Sequence, residues 1–497
     1  MKTFVFLLLC ALAAAPSVAQ TSSYSANKSS IAITGRWWET AAAVRNVTLK
    51  DDTEFPQLLL DPKNAEQQLR ELKEQGFTGI QVFAPADGGR SYNGLDARDH
   101  YRIEPKYGSI DDFKRVVHIA HGLAMPVVVF TNLGYSALDA PAFLKACDDV
   151  REARDSKERK WFFWSDSADA PPPATGDMYF MVRPTWLSGY QPLKTEHWVY
   201  SERARHYYWT RWPGKDAQGN KIDLPQYNWL TPEWQEEAAN IVRFWMDTGA
   251  DGLVVDAVNW YVGYTWEIGH RTITGVIKSY GDKYSQPEGA GGFHEDPVPW
   301  ITEGGWISVQ DYGLNLWWEK PYEILSNAIQ AGDPRPIEPS LRAYHDRVVA
   351  VGGTLNTTIP KIEGSGGQRL AAAMVASTGQ FITDWSTKRE NLATDPEIQW
   401  LLKTKAAHPA LFQMGLRRKL PTRNETKHYA FIRTASDASE RILVVTNFGN
   451  TPDTVEVDAS GLDAKSMRDL KTGETLAVNQ SLKILTEGLG YRFFILR

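Results

Sequence analysis

Three stretches of the chain repeat one pattern: a capping residue, an amphipathic run with apolar positions three and four apart, a glycine, then a short β-branched run. Asp61-Pro62 opens the first, Leu69 and Leu72 mark its apolar face, and Gly76 stops it before Gly79-Ile80-Gln81-Val82-Phe83. Proline suits the first helical position, where its missing N–H is not needed, and glycine suits the left-handed turn that ends a helix. Ser109, with Asp112 three residues on, opens the second; Gly122 closes it before Val127-Val128-Val129-Phe130. Thr231-Pro232 opens the third, Gly249 closes it, and Gly252-Leu253-Val254-Val255-Asp256 follows. Strands that are apolar almost throughout, set between amphipathic helices, predict a parallel sheet covered on both faces. No Gly-x-Gly-x-x-Gly follows the first strand, which argues against a dinucleotide-binding sheet. The unit, its span and the polar or acidic residues at its strand ends predict an α/β fold, a (β/α)8 TIM barrel over residues 20–410.

The pattern breaks twice. Residues 135–230 lose periodicity and become rich in Trp, Tyr and Pro, including Pro171-Pro172-Pro173. A loop this long inside a compact domain is usually functional, and it reads as an excursion after strand 3 that roofs the barrel mouth. Beyond residue 410 strict alternation takes over, at 428–433, 442–447, 454–457 and 492–496, separated by turn residues such as Asn447-Phe448-Gly449-Asn450. Residues 411–497 therefore predict a C-terminal antiparallel β-sandwich domain.

Residues 1–19 read as a signal peptide: Lys2, an apolar run from Phe4 to Ala15, and Ser17-Val18-Ala19 as the cleavage site. The run is too short to span a bilayer, so the expected location is secreted or periplasmic, without a membrane partner. Removal of Cys10 leaves Cys147 as the single thiol of the mature chain, so no internal disulfide is expected. A net charge of −6 excludes the basic surface that nucleic-acid binding needs. No Cys/His cluster has metal-ligand spacing, and no phosphate loop or Gly-x-Ser-x-Gly occurs, so neither metal nor cofactor is expected.

In a parallel barrel, reactive groups project from the carboxyl ends of strands. Asp256 ends Leu253-Val254-Val255, and Glu303 reads as the end of a strand Trp300-Ile301-Thr302. Two carboxylates on neighbouring strand ends suit retaining glycoside hydrolysis, one as nucleophile and one as acid/base.

Residues 230–258, with Phe244-Trp245-Met246-Asp247-Thr248-Gly249-Ala250-Asp251-Gly252-Leu253-Val254-Val255-Asp256, resemble the helix and fourth strand of glycoside hydrolase family 13, the α-amylase superfamily. Residues 96–113, including Asp99-His100-Tyr101-Arg102-Ile103-Glu104-Pro105-Lys106-Tyr107-Gly108, resemble the stretch after its second strand, and residues 198–209 the excursion of its exo-acting α-glucosidase members. The resemblance implies Asp256 as nucleophile and Glu303 as general acid/base of a retaining α-glycosidase, a hydrolase or transglycosidase. Its expected substrate is a short α-linked oligosaccharide or glycoside.

Several of the family's positions differ here. Val254 stands where the family has Arg, Thr358 where it has its third carboxylate, Phe130, Gly134 and Tyr135 where it has an Asp and an Asn-His pair, and Leu95 where a Tyr stacks on glucose. A glycone other than plain glucose is one reading of these changes. The other is a catalytically inactive carbohydrate-binding protein on the same barrel. Expected sugar-binding residues are Asp96, His100, Trp260, Trp306 and Asp384, with Asp384 as the substitute carboxylate. Trp37, Trp38, Tyr261 and Trp385 are further aromatic candidates at the mouth, since ring faces stack on pyranose C–H groups.

Overall fold

A computed structural model of the chain describes residues 33, 35–49, 55, 57–89, 94–173, 197–216, 218–258, 266–288, 296–311, 314, 323–385 and 394–497. The proposed signal segment, Trp260 and Tyr261 lie outside the described residues. Eight parallel strands form the centre: β1 (Ala43–Thr48), β2 (Gly79–Phe83), β3 (Val127–Thr131), β4 (Gly252–Val255), β5 (Tyr284–Pro287), β6 (Ser308–Gln310), β7 (Thr354–Thr357) and β8 (Phe381–Asp384). Their order is β5-β4-β3-β2-β1-β8-β7-β6, and the Ile307 amide donating to the Ser285 carbonyl at 3.2 Å brings the two ends together as a (β/α)8 barrel.

Local sequence accounts for the alternation. The Asp61 carboxylate accepts the amides of Lys63 and Asn64 at the start of Pro62–Gln75, and Gly76 ends that helix at φ +105°. Ser109 and Asp112 form a reciprocal capping box on Ile110–Gly122. Along each strand one set of side chains faces the helices (Val47, Val82, Val129, Leu253, Val255) and the other fills the barrel (Val44, Val128, Phe130, Val254, Tyr284, Phe381). Gly252 is required where β4 meets β5, because a Cβ there would lie 2.4 Å from the Tyr284 carbonyl oxygen.

Two expectations are corrected. Trp300-Ile301-Thr302 is not a strand but the end of a short helix, Val298–Thr302. The Asp296 carboxylate accepts the Val298 amide, and Pro297 and Pro299 fit a helix start, so the helix signal outweighs the apolar β-like run. Trp37 and Trp38 are not at the mouth. They precede β1 and plug the opposite end of the barrel, Trp37 lying 5.3 Å from the Tyr284 ring and 5.9 Å from Phe381.

The excursion after β3 folds as a small sheet from Trp164–Ser165, His197–Ser201, His206–Lys215 and Lys221–Pro225. It is tied to the barrel by a bridge between Tyr135 and Gln226, and by the Tyr227 ring stacked 3.5 Å above Trp234. The C-terminal region forms β9 (Leu416–Leu420), β10 (His428–Thr434), β11 (Arg441–Asn447), β12 (Asp453–Asp458), β13 (Ser466–Asp469), β14 (Thr475–Ala477), β15 (Ser481–Thr486) and β16 (Gly490–Leu496). An antiparallel sheet β9-β10-β11-β16-β13-β14 faces the pair β12-β15. The larger sheet is buried on both faces. Ile432, Leu443 and Phe494 meet the smaller sheet, while Phe431, Val444 and Phe493 meet the barrel.

Candidate active site

Strand parity decides which residues reach the barrel mouth. Val254 points into the barrel and Val255 outward, so Asp256 points inward again. On the neighbouring strand Tyr284 points inward, which carries Gln286 and then Glu288 to the same side. Val255 pairs with Pro287, so Asp256 and Glu288 occupy the next rung of adjacent strands. Their backbones are locked there: the Asp256 amide donates to the Thr131 carbonyl, and the Glu288 amide to Val255, each at 2.8 Å. The Ala257 amide donates to Glu288 Oε2 at 2.9 Å, from a residue held at φ +43°. That conformation is uncommon without glycine and here turns an N–H onto the second carboxylate.

Burial raises the affinity of both carboxyls for protons. Asp256 is pushed well above the usual carboxylate range, first by desolvation and then by the charge of Glu288, while a hydrogen bond from Tyr135 opposes the shift. Glu288 is raised by burial and partly relieved by the Ala257 amide. Two such groups titrate as a pair and retain one proton between them over the pH range in which ordinary carboxyls have lost theirs. The singly protonated pair offers one carboxylate that can attack and one acid that can donate.

Both open into a cavity of about 610 Å³. Its apolar wall comes from Phe83, Leu95, Phe130 and Trp385; its other side has Gln310, Glu323, Thr358 and Lys361. Phe83, Phe130 and Trp385 form a mutual aromatic cluster with centroids 4.9 to 5.6 Å apart, and Trp385 keeps 36% exposure, a ring available for stacking.

Residues 63–280 match the family model described as "Alpha amylase, catalytic domain". Over that segment the chain is similar to the alpha-amylase catalytic domain. It is similar to a trehalose synthase of Thermus thermophilus, 31% identical over 33% of this chain and 14% of that protein. It is also similar to an alpha-glucosidase of Schizosaccharomyces pombe, 27% identical over 33% of this chain and 25% of that protein. The chain therefore spans no more than a quarter of the length of these two relatives. Among solved structures the alpha-amylase of H. orenii superposes with a TM-score of 0.68 at 16% identity, covering 92% of this chain and all of that one.

In this barrel the sequence-predicted site residues fare differently. Asp256 lies in the cavity wall. Glu303 does not: it follows the helix Val298–Thr302, is 54% exposed, and lies 3.8 Å from Arg271. The strand-end carboxyl next to Asp256 is Glu288, which the sequence reading missed. Its signal was present, because helix Arg271–Ser279, Gly281 and Tyr284–Pro287 repeat the helix–glycine–strand unit seen three times earlier. The strand Tyr-Ser-Gln-Pro lacks β-branched residues, so the apolar 300–302 run drew the assignment away.

The expected sugar contacts also need correction. Trp306 is only 1% exposed and donates its indole N–H to His270 Nδ1, so it is core rather than a platform. His100 lies away from the cavity wall with Nε2 3.2 Å from the Tyr227 hydroxyl, and burial lowers its pKa to about 4, leaving it neutral. Asp96 is buried behind Tyr135, whose phenol feels its charge. Asp384 borders the cavity, but it shares the outward parity of Ile382 and its Oδ2 lies 3.1 Å from the buried Arg45 guanidinium. Its carboxylate is thereby engaged in a strand-layer ion pair. At the end of β7 the wall is Thr358, Ile359, Pro360 and Lys361. Glu323, absent from the sequence expectations, supplies a further carboxyl at the rim.

Proposed function

We propose that the protein is a retaining α-glycosidase, a hydrolase or transglycosidase acting on short α-linked oligosaccharides or glycosides. The observation that carries this is the Asp256–Glu288 pair, buried on consecutive rungs of adjacent strands and opening into one cavity. Strand ends about 4.8 Å apart let two carboxyls approach the roughly 5 Å separation of retaining pairs. Asp256 attacks the anomeric carbon while Glu288 protonates the departing oxygen. Glu288, now a carboxylate, then takes a proton from water or an acceptor hydroxyl that displaces Asp256. Trp385 offers a stacking face and Glu323 a hydrogen-bond acceptor for the sugar. The aromatic wall favours a glycone with fewer hydroxyls on that side than glucose presents. The proposed site of action is outside the cytoplasm, after removal of residues 1–19; N-terminal sequencing of the exported protein tests that step.

The activity test compares wild type, Asp256→Asn and Glu288→Gln on α-linked disaccharides, maltooligosaccharides and aryl α-glycosides. Asp256→Asn is expected to lose turnover by at least about a thousandfold. Glu288→Gln is expected to lose about 10²–10⁴-fold on disaccharides while sparing substrates whose aryl leaving group needs no proton. Equal release by wild type and Asp256→Asn excludes the assignment. Sugar binding without release by any of the three proteins would assign the cavity to recognition alone.

A further inference from the structure

The cavity is closed at one end and open at the other, and the two ends differ in chemistry. Below it the barrel is filled by Val44, Val128, Val254, Tyr284 and Phe381, so a substrate enters from the mouth. The closed end has Phe130, 2% exposed, and Leu95, 8% exposed. Toward the opening Trp385 keeps 36% exposure, Glu323 is half-buried and Lys361 is exposed. Phe130 pairs with Val254 on the neighbouring strand, one inward step below Asp256, so its ring floors the space beside the proposed nucleophile.

The polar side chains that neighbour this floor are engaged inside the protein. Asn132, two residues beyond Phe130, donates from Nδ2 to the Leu95 and Tyr135 carbonyls at 3.0 and 2.9 Å, and its Oδ1 accepts the Gly134 amide at 2.7 Å. The Thr383 hydroxyl accepts from Asn356 Nδ2 at 2.5 Å, and the Asp384 carboxylate lies 3.1 Å from Arg45 Nη1. Hydrocarbon faces the substrate instead. Phe83 and Phe130 have ring centroids 4.9 Å apart, and both stand edge-on to Trp385, at 5.6 and 5.5 Å. Gln310, Glu323 and Lys361 line the cavity from the other side, that of β6 and β7.

We propose that the closed end binds a deoxyhexose as glycone: an α-linked pyranose with hydrogen or methyl where glucose carries a hydroxyl or hydroxymethyl group, its bare edge set against Phe83, Leu95 and Phe130. This rests on the reading of Asp256 and Glu288 as the groups that cleave the bond. Cleavage fixes the anomeric carbon between those carboxyls. The sugar that owns this carbon then lies beside the apolar floor, and the departing group points to the mouth, where Glu323 and Lys361 can contact a hydroxylated aglycone. Each hydroxyl turned toward the floor would leave water for a surface without hydrogen-bond partners, whereas a C–H or methyl there gains burial. A hydrophobic pocket disfavours an added hydroxyl by up to about a hundredfold, while a site built to hydrogen-bond that hydroxyl rejects the deoxy analogue. The direction of selectivity between a sugar and its deoxy analogue therefore reports the chemistry of the floor.

The test measures kcat/KM for the 4-nitrophenyl α-glucoside and its 3-deoxy, 4-deoxy and 6-deoxy analogues, each divided by its uncatalysed hydrolysis rate. The aryl leaving group needs little protonation, so the comparison does not depend on Glu288. At least one deoxy analogue is expected to exceed the parent by about tenfold to a hundredfold. Phe83→Tyr keeps the ring and adds a hydroxyl to the wall, and it is expected to lower that preference by about threefold or more. A parent preferred over all three analogues overturns the proposal and leaves the glycosidase reading intact. An unaltered preference in Phe83→Tyr, with its fold intact by circular dichroism, overturns the assignment of selectivity to this wall. If none of the four is cleaved, the cleaving role of the pair fails, and calorimetry with the corresponding methyl α-glycosides decides the floor by itself. Binding of a deoxy sugar about fivefold or more tighter than the parent then supports it. Equal or weaker binding of all three, or no binding, overturns it.

Discussion

Two places among the described residues bury charge-bearing groups outside any ion pair, and they resolve the difficulty in opposite ways. At the mouth, Asp256 and Glu288 face each other with a phenol and a backbone amide as donors. At the seam between barrel and sandwich, Lys405 and Arg433 are fully buried, and their donors end on carbonyl oxygens. Lys405 Nζ reaches Gly379 at 3.2 Å and Leu411 at 2.7 Å; Arg433 reaches Ala410, Thr378 and Phe412 at 2.6 to 3.2 Å. The seam is closed around these contacts, since a Cβ on Gly379 or Gly415 would come within 2.9 or 2.8 Å of the Arg433 guanidinium. The mouth is not closed; its two carboxyls open onto a cavity. A buried group whose hydrogen bonds are all answered holds elements together. A buried group set against its like, with space in front of it, stores reactivity.

Arg433→Met breaks the seam most strongly. Three carbonyls at the end of the helix Ser365–Thr378 and the turn Pro409–Leu411 lose their donor, and the expected destabilisation is about 3–5 kcal/mol, read from chemical denaturation. Activity of the protein that remains folded should be unchanged. A loss below about 1 kcal/mol would mean that the carbonyls find other donors and that Arg433 is a passenger.

Glu288→Gln tests the mouth from the stability side. Its folded-state pKa lies above the unfolded value, so the stability linked to its protonation is present below about pH 4 and is lost as pH rises through the folded value. A neutral amide at this position should therefore gain on the wild type in Tm as pH rises toward 7, and gain nothing near pH 4. The same substitution stabilises the fold and removes the acid, and a variant less stable at every pH would show that the carboxyl holds structure instead.

How much of this was visible in the chain follows the same division. The helix–glycine–strand repeat exposed the barrel because caps, stops and β-branched runs are local signals, each set by a few neighbouring residues. Asp256 was visible for that reason, as the polar end of a Val-rich strand. Glu288 was not, because β5 is Tyr-Ser-Gln-Pro and draws its strand character from pairing with β4 rather than from its own side chains. Tyr135 was noted only as a departure, since its packing in one cluster with Val254 joins the loop after β3 to β4. Arg45 and Asp384 lie 339 residues apart, and only the β1–β8 pairing reveals that the carboxylate expected to bind sugar already has a guanidinium. The fold was written in local patterns. The commitments of individual polar groups were written in the register between distant strands.

Lys405→Met gives the smallest effect and the sharpest contrast. Burial, followed by the charge of Arg433, depresses the Lys405 pKa well below its usual value. A lysine so shifted contributes stability that is present above the unfolded pKa, about 10.4, and is lost as pH falls through the folded value. Methionine fills a similar volume without titrating, though it leaves the Gly379 and Leu411 carbonyls without this donor. The expected net change at neutral pH is within about 1 kcal/mol, because the lost hydrogen bonds offset the relief of desolvation. The discriminating feature is the slope: the difference in Tm should move in favour of methionine as pH drops from 10 to 6, opposite in sign to the Glu288→Gln series. Parallel slopes in the two series would mean that a change in overall net charge governs both, and the distinction between mouth and seam would fall with it.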